Sequence, residues 1–281
     1  AMLKHYHVSP VRRQLAMDCA QASLAVKRSL QPEEISLYVG IPFCPTRCAY
    51  CSFISASGSA NRLIPAYLDA LFGEIDAAGE AARRAGKTVR TVYIGGGTPT
   101  TLAPDQLKAL LDRLHTAFDL APGTEFTVEA GRPDTITREK LEAIRDGGGN
   151  RISVNPQTMS DLVLETIGRS HRAEDIRQAY ALAREVRVGA INMDLIAGLP
   201  ADTPAGFAAT LDEVIGMDPE NITVHTLALK KGARLRQENV PLPSGEDVAR
   251  MLDFAWSALR AAGYRPYYLY RQKFMSGSFE N

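Results

Sequence analysis

Three cysteines fall within eight residues: Cys44, Cys48 and Cys51, in the run Ile41-Pro42-Phe43-Cys44-Pro45-Thr46-Arg47-Cys48-Ala49-Tyr50-Cys51. The chain has four cysteines in all, so this clustering is its sharpest chemical signal. Thiolates are the usual ligands of iron–sulfur clusters. A four-iron cluster has four corners. One loop here supplies three ligands and leaves an iron open to another molecule, which suits a reactive centre and not an electron carrier. Two plainer chemistries use the same residues. A disulfide would leave one of the three cysteines over, and residues 1–30 carry no apolar signal segment pointing to an oxidising compartment. A structural zinc site wants four ligands, usually as two separated pairs, and would need Cys19 or a distant histidine. Cys19 lies in a helical-looking arm and reads as a buried thiol.

The elements that must position this loop follow from the apolar pattern. Short β-branched runs at 36–42, 90–95, 125–130, 151–155, 191–196 and 221–227 read as strands. Helical patterns lie between them at 65–85, 104–118, 138–146, 161–186 (as two helices) and 204–217, with apolar spacings such as Leu107, Leu110, Leu111 and Leu114. Pro65, Pro104 and Pro204 stand where first helical turns begin, and Gly147, Gly148 and Gly149 form a helix exit. Alternating strand and helix implies an α/β fold with a parallel sheet and right-handed crossovers. Six units exceed a minimal doubly wound domain and fall short of an eightfold barrel, so a partial (β/α)6 TIM-like barrel is expected. A helix at 246–263 and an edge strand at 264–270 would complete it. The organisation expected is a helical N-terminal arm over 1–35, the barrel over 36–270, and a polar tail over 271–281 read as a truncated end. Chemistry in such a barrel sits at the C-terminal ends of the strands, and the cysteine loop directly follows the first of them.

Bulk properties exclude other classes. The 281 residues are 45% hydrophobic and 23% charged, an ordinary globular composition. Lys+Arg and Asp+Glu are 32 each, so there is no cationic footprint for nucleic acid. No apolar run approaches the ~20 residues of a membrane span. The expectation is a cytoplasmic protein in a reducing compartment.

A second loop follows the second strand: Gly95-Gly96-Gly97-Thr98-Pro99-Thr100. Glycines there let a ligand approach the backbone, although the same residues also make a tight turn. The spacing is not the Gly-x-Gly-x-x-Gly of a dinucleotide site. Together, Cys-x3-Cys-x2-Cys and the glycine loop resemble the radical S-adenosylmethionine (SAM) superfamily, and Gly-Gly-Gly-Thr-Pro-Thr resembles its oxygen-independent coproporphyrinogen III oxidase-like branch. The resemblance spans roughly 36–230 and implies the same partial barrel. It implies that Cys44, Cys48 and Cys51 hold a 4Fe–4S cluster whose open iron binds SAM, which is cleaved to methionine and a 5′-deoxyadenosyl radical. It further implies cofactor contacts for Tyr38, Tyr50, Gly96, Gly97, Thr98, Glu129, Gln157, Arg169, Asp194 and Ala228, with the tyrosines touching SAM or shielding the cluster. Each polar side chain alone also fits a structural role; their joint order along the strands carries the assignment.

Finer details bear on the branch. The resemblance associates decarboxylases with a Cys-x-Cys step at the third ligand, and here Ser52-Phe53 follow Cys51. Gly131-Arg132-Pro133-Asp134, Asn155-Pro156-Gln157, Leu229-Lys230-Lys231-Gly232-Ala233 and Tyr270-Arg271-Gln272-Lys273 are most similar to a coproporphyrinogen dehydrogenase-like subgroup of anaerobic bacteria, not to the heme chaperones. The implied reaction is oxidative decarboxylation of a tetrapyrrole propionate to a vinyl group, fed by an electron donor such as flavodoxin or ferredoxin. A substrate with several carboxylates wants cations at the open end. Arg132, Lys230, Lys231 and Arg234 follow strands at that end, although they equally suit a solvated loop. His225 lies on the sixth strand, facing either the cavity or a core hydrogen bond. A heme-binding chaperone and a radical SAM methyltransferase are the competing readings.

Overall fold

The computed structural model describes residues 8–53 and 55–270. In chain order the elements are α1 (Pro10–Ser29), β1 (Glu34–Ile41), β2 (Phe43–Cys44), β3 (Ala56–Ser57), α2 (Ile64–Arg84), β4 (Thr88–Gly96), α3 (Pro104–Phe118), β5 (Glu125–Glu129), α4 (Arg138–Asp146), β6 (Arg151–Ser153), α5 (Asp161–Thr166), α6 (Ala173–Val186), β7 (Ala190–Ala197), α7 (Pro204–Gly216), β8 (Asn221–Thr226), α8 (Arg234–Gln237) and α9 (Gly245–Ala261). Pro104 and Pro204 open α3 and α7, where a missing N–H costs nothing. Thr137, Thr203 and Ser244 cap α4, α7 and α9 by accepting a backbone N–H from the first turn.

Six strands form one all-parallel sheet in the order β1-β4-β5-β6-β7-β8. Spatial order equals chain order, so every crossover steps the same way round. A doubly wound sheet would reverse at its middle. This one-way winding is the partial barrel expected from the sequence.

Residues along each strand alternate between two faces. Val39 and Ile41, Val92 and Ile94, Phe126 and Val128, Ile152, and Ile191, Met193 and Leu195 lie in the core beside helix residues such as Leu71, Leu107, Leu110, Leu141 and Leu211. The alternate residues line the inner face and are largely polar: Ser36 and Tyr38, Thr91 and Tyr93, Thr127 and Glu129, Arg151 and Ser153, Asn192 and Asp194, and Asn221, Thr223 and His225. The two faces divide labour: one holds the sheet to its helices and the other carries chemistry.

Two differences from the sequence reading stand out. No strand forms at 264–270. That segment lies against the edge of β8 through side chains, with Tyr264 Oη donating to Pro219 O at 2.7 Å and Tyr270 Oη 2.8 Å from His225 Nδ1. Aromatic bulk there substitutes for backbone pairing. The cysteine loop contains its own two-stranded parallel sheet, β2 with β3, too short to leave an apolar pattern. The expected arm is the helix α1, ion-paired to α9 through Arg12–Asp253 and Arg260–Asp18, with Cys19 buried. The tail 271–281 lies outside the described residues.

Leu110 on α3 is fully buried in the core. Leu110→Ala should lower the unfolding free energy by about 2–5 kcal/mol, measured by urea denaturation.

Candidate active site

The cysteine loop begins where β1 ends, and the glycine loop begins where the neighbouring strand β4 ends. Parallel pairing brings the two together: Gly40 is opposite Gly95 and Ile41 opposite Gly96. Two further backbone bonds extend the contact, Gly97 N to Ile41 O at 2.8 Å and Thr98 N to Phe43 O at 2.7 Å. Thr98 Oγ1 points at Cys44 Sγ, 3.6 Å away. A Cβ on Gly97 would lie 2.6 Å from Phe43 O and 2.9 Å from Cys44 Sγ, so only glycine permits this approach. Gly96 has φ +111°, in the region that favours glycine.

The rest of the loop is tied down from several directions. Ala56 N donates to Pro42 O at 2.7 Å and closes it through the small sheet. Cys51 N donates to Cys48 O at 3.2 Å, turning the chain so that the last two cysteines lie near each other. Ala49 N donates to Ile167 O, and Leu235 N donates to Ala49 O. Arg47 Nη2 donates to Gly232 O at 3.2 Å, bringing the loop after β8 alongside. All three cysteines are free thiols, half-buried. Burial raises the Cys51 pKa above its ordinary value, and charge on Cys48 and Cys44 adds to the rise.

Two buried guanidinium groups flank Cys48. Arg169 Nη1 donates to Asn155 O at 2.7 Å and Nη2 to Tyr50 Oη at 3.2 Å. Burial alone would lower the Arg169 pKa, but Tyr50 and Cys48 beside it hold it above the usual value. Burial drives the Tyr50 pKa up, keeping it a neutral phenol. Arg132 lies on the other side, its Nη1 3.9 Å from Cys48 Sγ. Nearby His171 has a fully buried ring with no hydrogen-bond partner on either nitrogen. Burial, then the Arg169 charge, lowers its pKa to about 4, so it stays neutral near pH 7.

Two carboxylates face the same end of the sheet. Glu129 ends β5 and accepts a hydrogen bond from Tyr93 Oη at 2.5 Å. Burial raises its pKa to about 6, with the Asp194 charge contributing and the Tyr93 bond opposing. Asp194 on β7 behaves differently. Burial would raise its pKa, but His225, Asn192 and Thr223 outweigh it and leave it lowered. Asn192 Nδ2 donates to Asp194 Oδ1 at 2.7 Å, and His225 Nε2 lies 3.7 Å from Asp194 Oδ2. Asn221 and Thr223 both donate to Asn192 Oδ1. Gln157 has a left-handed φ of +68° and bridges to β7, its N–H donating to Asp194 O at 2.9 Å. The side-chain oxygens of Gln157 and Asn155 are buried with no partner. Buried acceptors without donors are costly unless a ligand supplies them.

The structure therefore brings together Cys44, Cys48, Cys51, Tyr50, Gly96, Gly97, Thr98, Glu129, Gln157, Arg169 and Asp194 around one end of the sheet. Tyr38 is on the inner face of β1, 66% exposed and stacked on Tyr93 with ring centroids 6.0 Å apart. Ala228 follows β8 and is half-buried. Lys230 and Lys231 are exposed on the loop after β8, and Arg234, exposed at the start of α8, pairs with Glu238 at 3.4 Å. Arg132 departs from the sequence expectation. Its side chain is 3% exposed and its donors are spent inside the protein, so it is not free to meet a substrate carboxylate. A proline and an aspartate directly after it fold it inward. Sequence reasoning also missed Tyr93, Asn192 and Thr223. Strict alternation along β4, β7 and β8 places all three on the inner face and was the available signal.

The sequence profile of the radical SAM superfamily matches residues 38–214. This chain belongs to the radical SAM superfamily. The cofactors of that superfamily are a 4Fe–4S cluster and SAM. Within it the chain falls among oxygen-independent coproporphyrinogen III oxidase-like proteins. It is 38% identical to the oxygen-independent coproporphyrinogen-III oxidase-like protein HemZ of Bacillus subtilis, over 99% of this chain and 57% of that protein. It is 33% identical to the heme chaperone HemW of the same organism, over 83% of this chain and 62% of that one. Among solved structures, coproporphyrinogen III oxidase (HemN) from Escherichia coli superposes with a TM-score of 0.76 at 31% identity, covering 87% of this chain and 56% of that one. The chain thus spans somewhat over half the length of these relatives.

The residues present fit these cofactors. Among the described residues no group of three or more His, Cys, Asp or Glu is arranged around a single metal ion. A four-iron cluster makes no such demand, because each thiolate takes a different iron. The orphaned oxygens of Gln157 and Asn155, and a Glu129 with its pKa raised by burial, suit a cationic ligand rich in donors.

Two outcomes follow. Gly97→Ala should force the backbone at Phe43 away at a local cost of about 1–3 kcal/mol. After anaerobic reconstitution its iron content per chain should fall, with the far-UV circular dichroism unchanged. For Glu129, a folded pKa of about 6 against an ordinary 4.5 means that the folded state holds its proton longer. Stability is therefore lost as pH rises through that window, by about 2 kcal/mol once the group is ionised. Glu129→Gln should raise the urea midpoint of the cofactor-free protein at about pH 7.5, and the gain should vanish near about pH 4.

Proposed function

We propose that Cys44, Cys48 and Cys51 hold a 4Fe–4S cluster and that the chain carries out radical oxidative decarboxylation of propionate side chains on a porphyrinogen. When bound, the cluster supplies the single electron that cleaves SAM to methionine and a 5′-deoxyadenosyl radical. Glu129 and Asp194 provide the negative charge that orients the cationic, hydroxyl-bearing SAM, and Gln157 and Asn155 accept its donors. Arg169 braces Tyr50 against the cysteine loop and keeps that wall dry. Tyr93 holds Glu129 in place, and Tyr38 covers the β1 side.

The substrate would enter over the exposed loop that carries Lys230 and Lys231 and leads to Arg234, charges that suit several carboxylates. One hydrogen atom would pass from the β-carbon to the 5′-deoxyadenosyl radical, giving 5′-deoxyadenosine and a substrate radical. Carbon dioxide then departs, one electron passes to an acceptor, and a vinyl group remains. A small electron carrier such as flavodoxin or ferredoxin is the proposed reductant. Among the described residues no helix is long and apolar enough to cross a membrane, consistent with a cytoplasmic setting.

The observation that carries this reading is the meeting of the cysteine loop, the glycine loop and two carboxylates at one end of the sheet, in a chain whose relatives include proteins named for coproporphyrinogen oxidation. A heme chaperone is the second reading. It is favoured by the 33% identity to HemW and by Ser52 and Phe53 standing where decarboxylases of this family would carry a further cysteine.

Anaerobic reconstitution with iron, sulfide, SAM, dithionite and coproporphyrinogen III separates the two. Decarboxylation gives stepwise loss of carbon dioxide and hydrogen by mass spectrometry, with 5′-deoxyadenosine formed in proportion. Tight heme binding with no substrate-dependent SAM cleavage would refute the oxidase reading in favour of the chaperone.

A further inference from the structure

The three cysteine sulfurs sit in unlike surroundings. Cys44 Sγ faces a neutral hydroxyl, that of Thr98. Cys51 accepts a backbone N–H from Phe53. Cys51 also senses the exposed Arg47, whereas Cys48 faces two buried cations, Arg132 and Arg169.

Arg132 is built into this position and is not a loose surface cation. Its Nε donates to Asp134 Oδ1 at 3.0 Å and its Nη2 to Asp134 Oδ2 at 2.7 Å, a two-pronged pairing that fixes the plane of the guanidinium. The free prong, Nη1, donates to Thr46 Oγ1 at 2.8 Å and to Thr46 O at 3.2 Å, and points at Cys48 Sγ. Arg132 is thus clamped at one end by Asp134 and grips the cysteine loop at the other, across 86 residues of sequence. The cation is almost wholly withdrawn from water. A buried, immobile charge is screened far less than a surface one.

Reduction adds an electron to an iron–sulfur centre, and positive charge near its sulfurs favours the reduced state. We infer that Arg132, clamped by Asp134, is a positioning residue for the cysteine loop whose fixed charge beside Cys48 raises the reduction potential of the centre held there. The inference rests on the ligation by Cys44, Cys48 and Cys51 proposed above. A compact ammonium cannot hold both carboxylate oxygens and Thr46 at once, so lysine would keep the charge and lose the clamp.

The test uses the full chain, reconstituted anaerobically with iron and sulfide, without SAM or substrate. Iron and sulfide per chain are measured first, then the midpoint potential by a redox titration followed by electron paramagnetic resonance. Arg132→Gln should shift the potential to more negative values in the fraction that carries a full cluster. Asp134→Asn removes the opposing charge and should shift it the other way. Arg132→Lys should remain nearer the wild-type potential than Arg132→Gln, with lower iron content than wild type. Opposite shifts at two residues that grip each other separate electrostatic tuning from scaffolding, which would reduce loading in both and move neither potential. Wild-type potentials in fully loaded Arg132→Gln and Asp134→Asn, or shifts of the same sign, would overturn the inference. Should Arg132→Gln take up no iron, Asp134→Asn decides alone: a shift to more positive potential supports the inference, and an unmoved or more negative potential overturns it. A wild-type chain that binds no cluster would overturn the ligation itself, an outcome distinct from loaded variants with unmoved potentials.

Discussion

The structure depends on a backbone junction between two loops. Ile41 and Phe43 carbonyls accept the amides of Gly97 and Thr98, and Gly97 can stand there only because it has no side chain. That contact makes the exit of β1 and the exit of β4 a single rigid wall. Without it the first cysteine would lose its tie to β4, and the loop would be held by the short β2–β3 sheet and by the contacts of Thr46, Arg47 and Ala49 further along. With it, Cys44 is placed to within a hydroxyl contact of Thr98. Preorganisation of this kind keeps the cost of ordering the ligands out of the binding step.

Around that wall the inner face of the sheet sorts charge by position. Glu129 accepts from the Tyr93 phenol and the Gly96 backbone, which do not offset burial, so its pKa is lifted. Asp194 is surrounded by donors and stays low. The two carboxylates therefore differ in readiness to accept a cation: binding one relieves a penalty at Glu129 and relieves none at Asp194. On the opposite side, Arg169 and Arg132 crowd Cys48. The site is polarised, with acid over β5 and β7 and base under the cysteine loop.

Much of this was legible in the sequence, for physical reasons that also mark the limits. The strands at 125–130 and 191–196 match β5 and β7 within a residue or two, because strands with one face on the core leave apolar residues at every second position, bounded by turns. The cysteine spacing and the glycine triplet were visible because both are local. What was not visible is whatever depends on partners distant in the chain. Arg132 reads as a loop cation until Asp134 and Thr46 are seen to consume its donors. Tyr93 gives no sign by itself of meeting Glu129, although counting every second residue from Gly95 puts it on the correct face. The segment at 264–270 has aromatic residues that suit a strand, but it packs through side chains such as Tyr264 and Tyr270 and adds no strand to the sheet beside β8.

That edge has a mechanical corollary. β1 and β8 are the two ends of an incomplete cylinder, and no sheet hydrogen bonds join them. Helix α1 bridges to α9 through ion pairs, and at the end that bears the cysteines Arg47 reaches Gly232 and Ala49 accepts from Leu235. Both anchors on the first side lie between or beside the sulfur-bearing positions. Any guest that wedges the cylinder wider at that end pulls on residues directly beside the thiols, so the seam there is also the strap that would register its arrival.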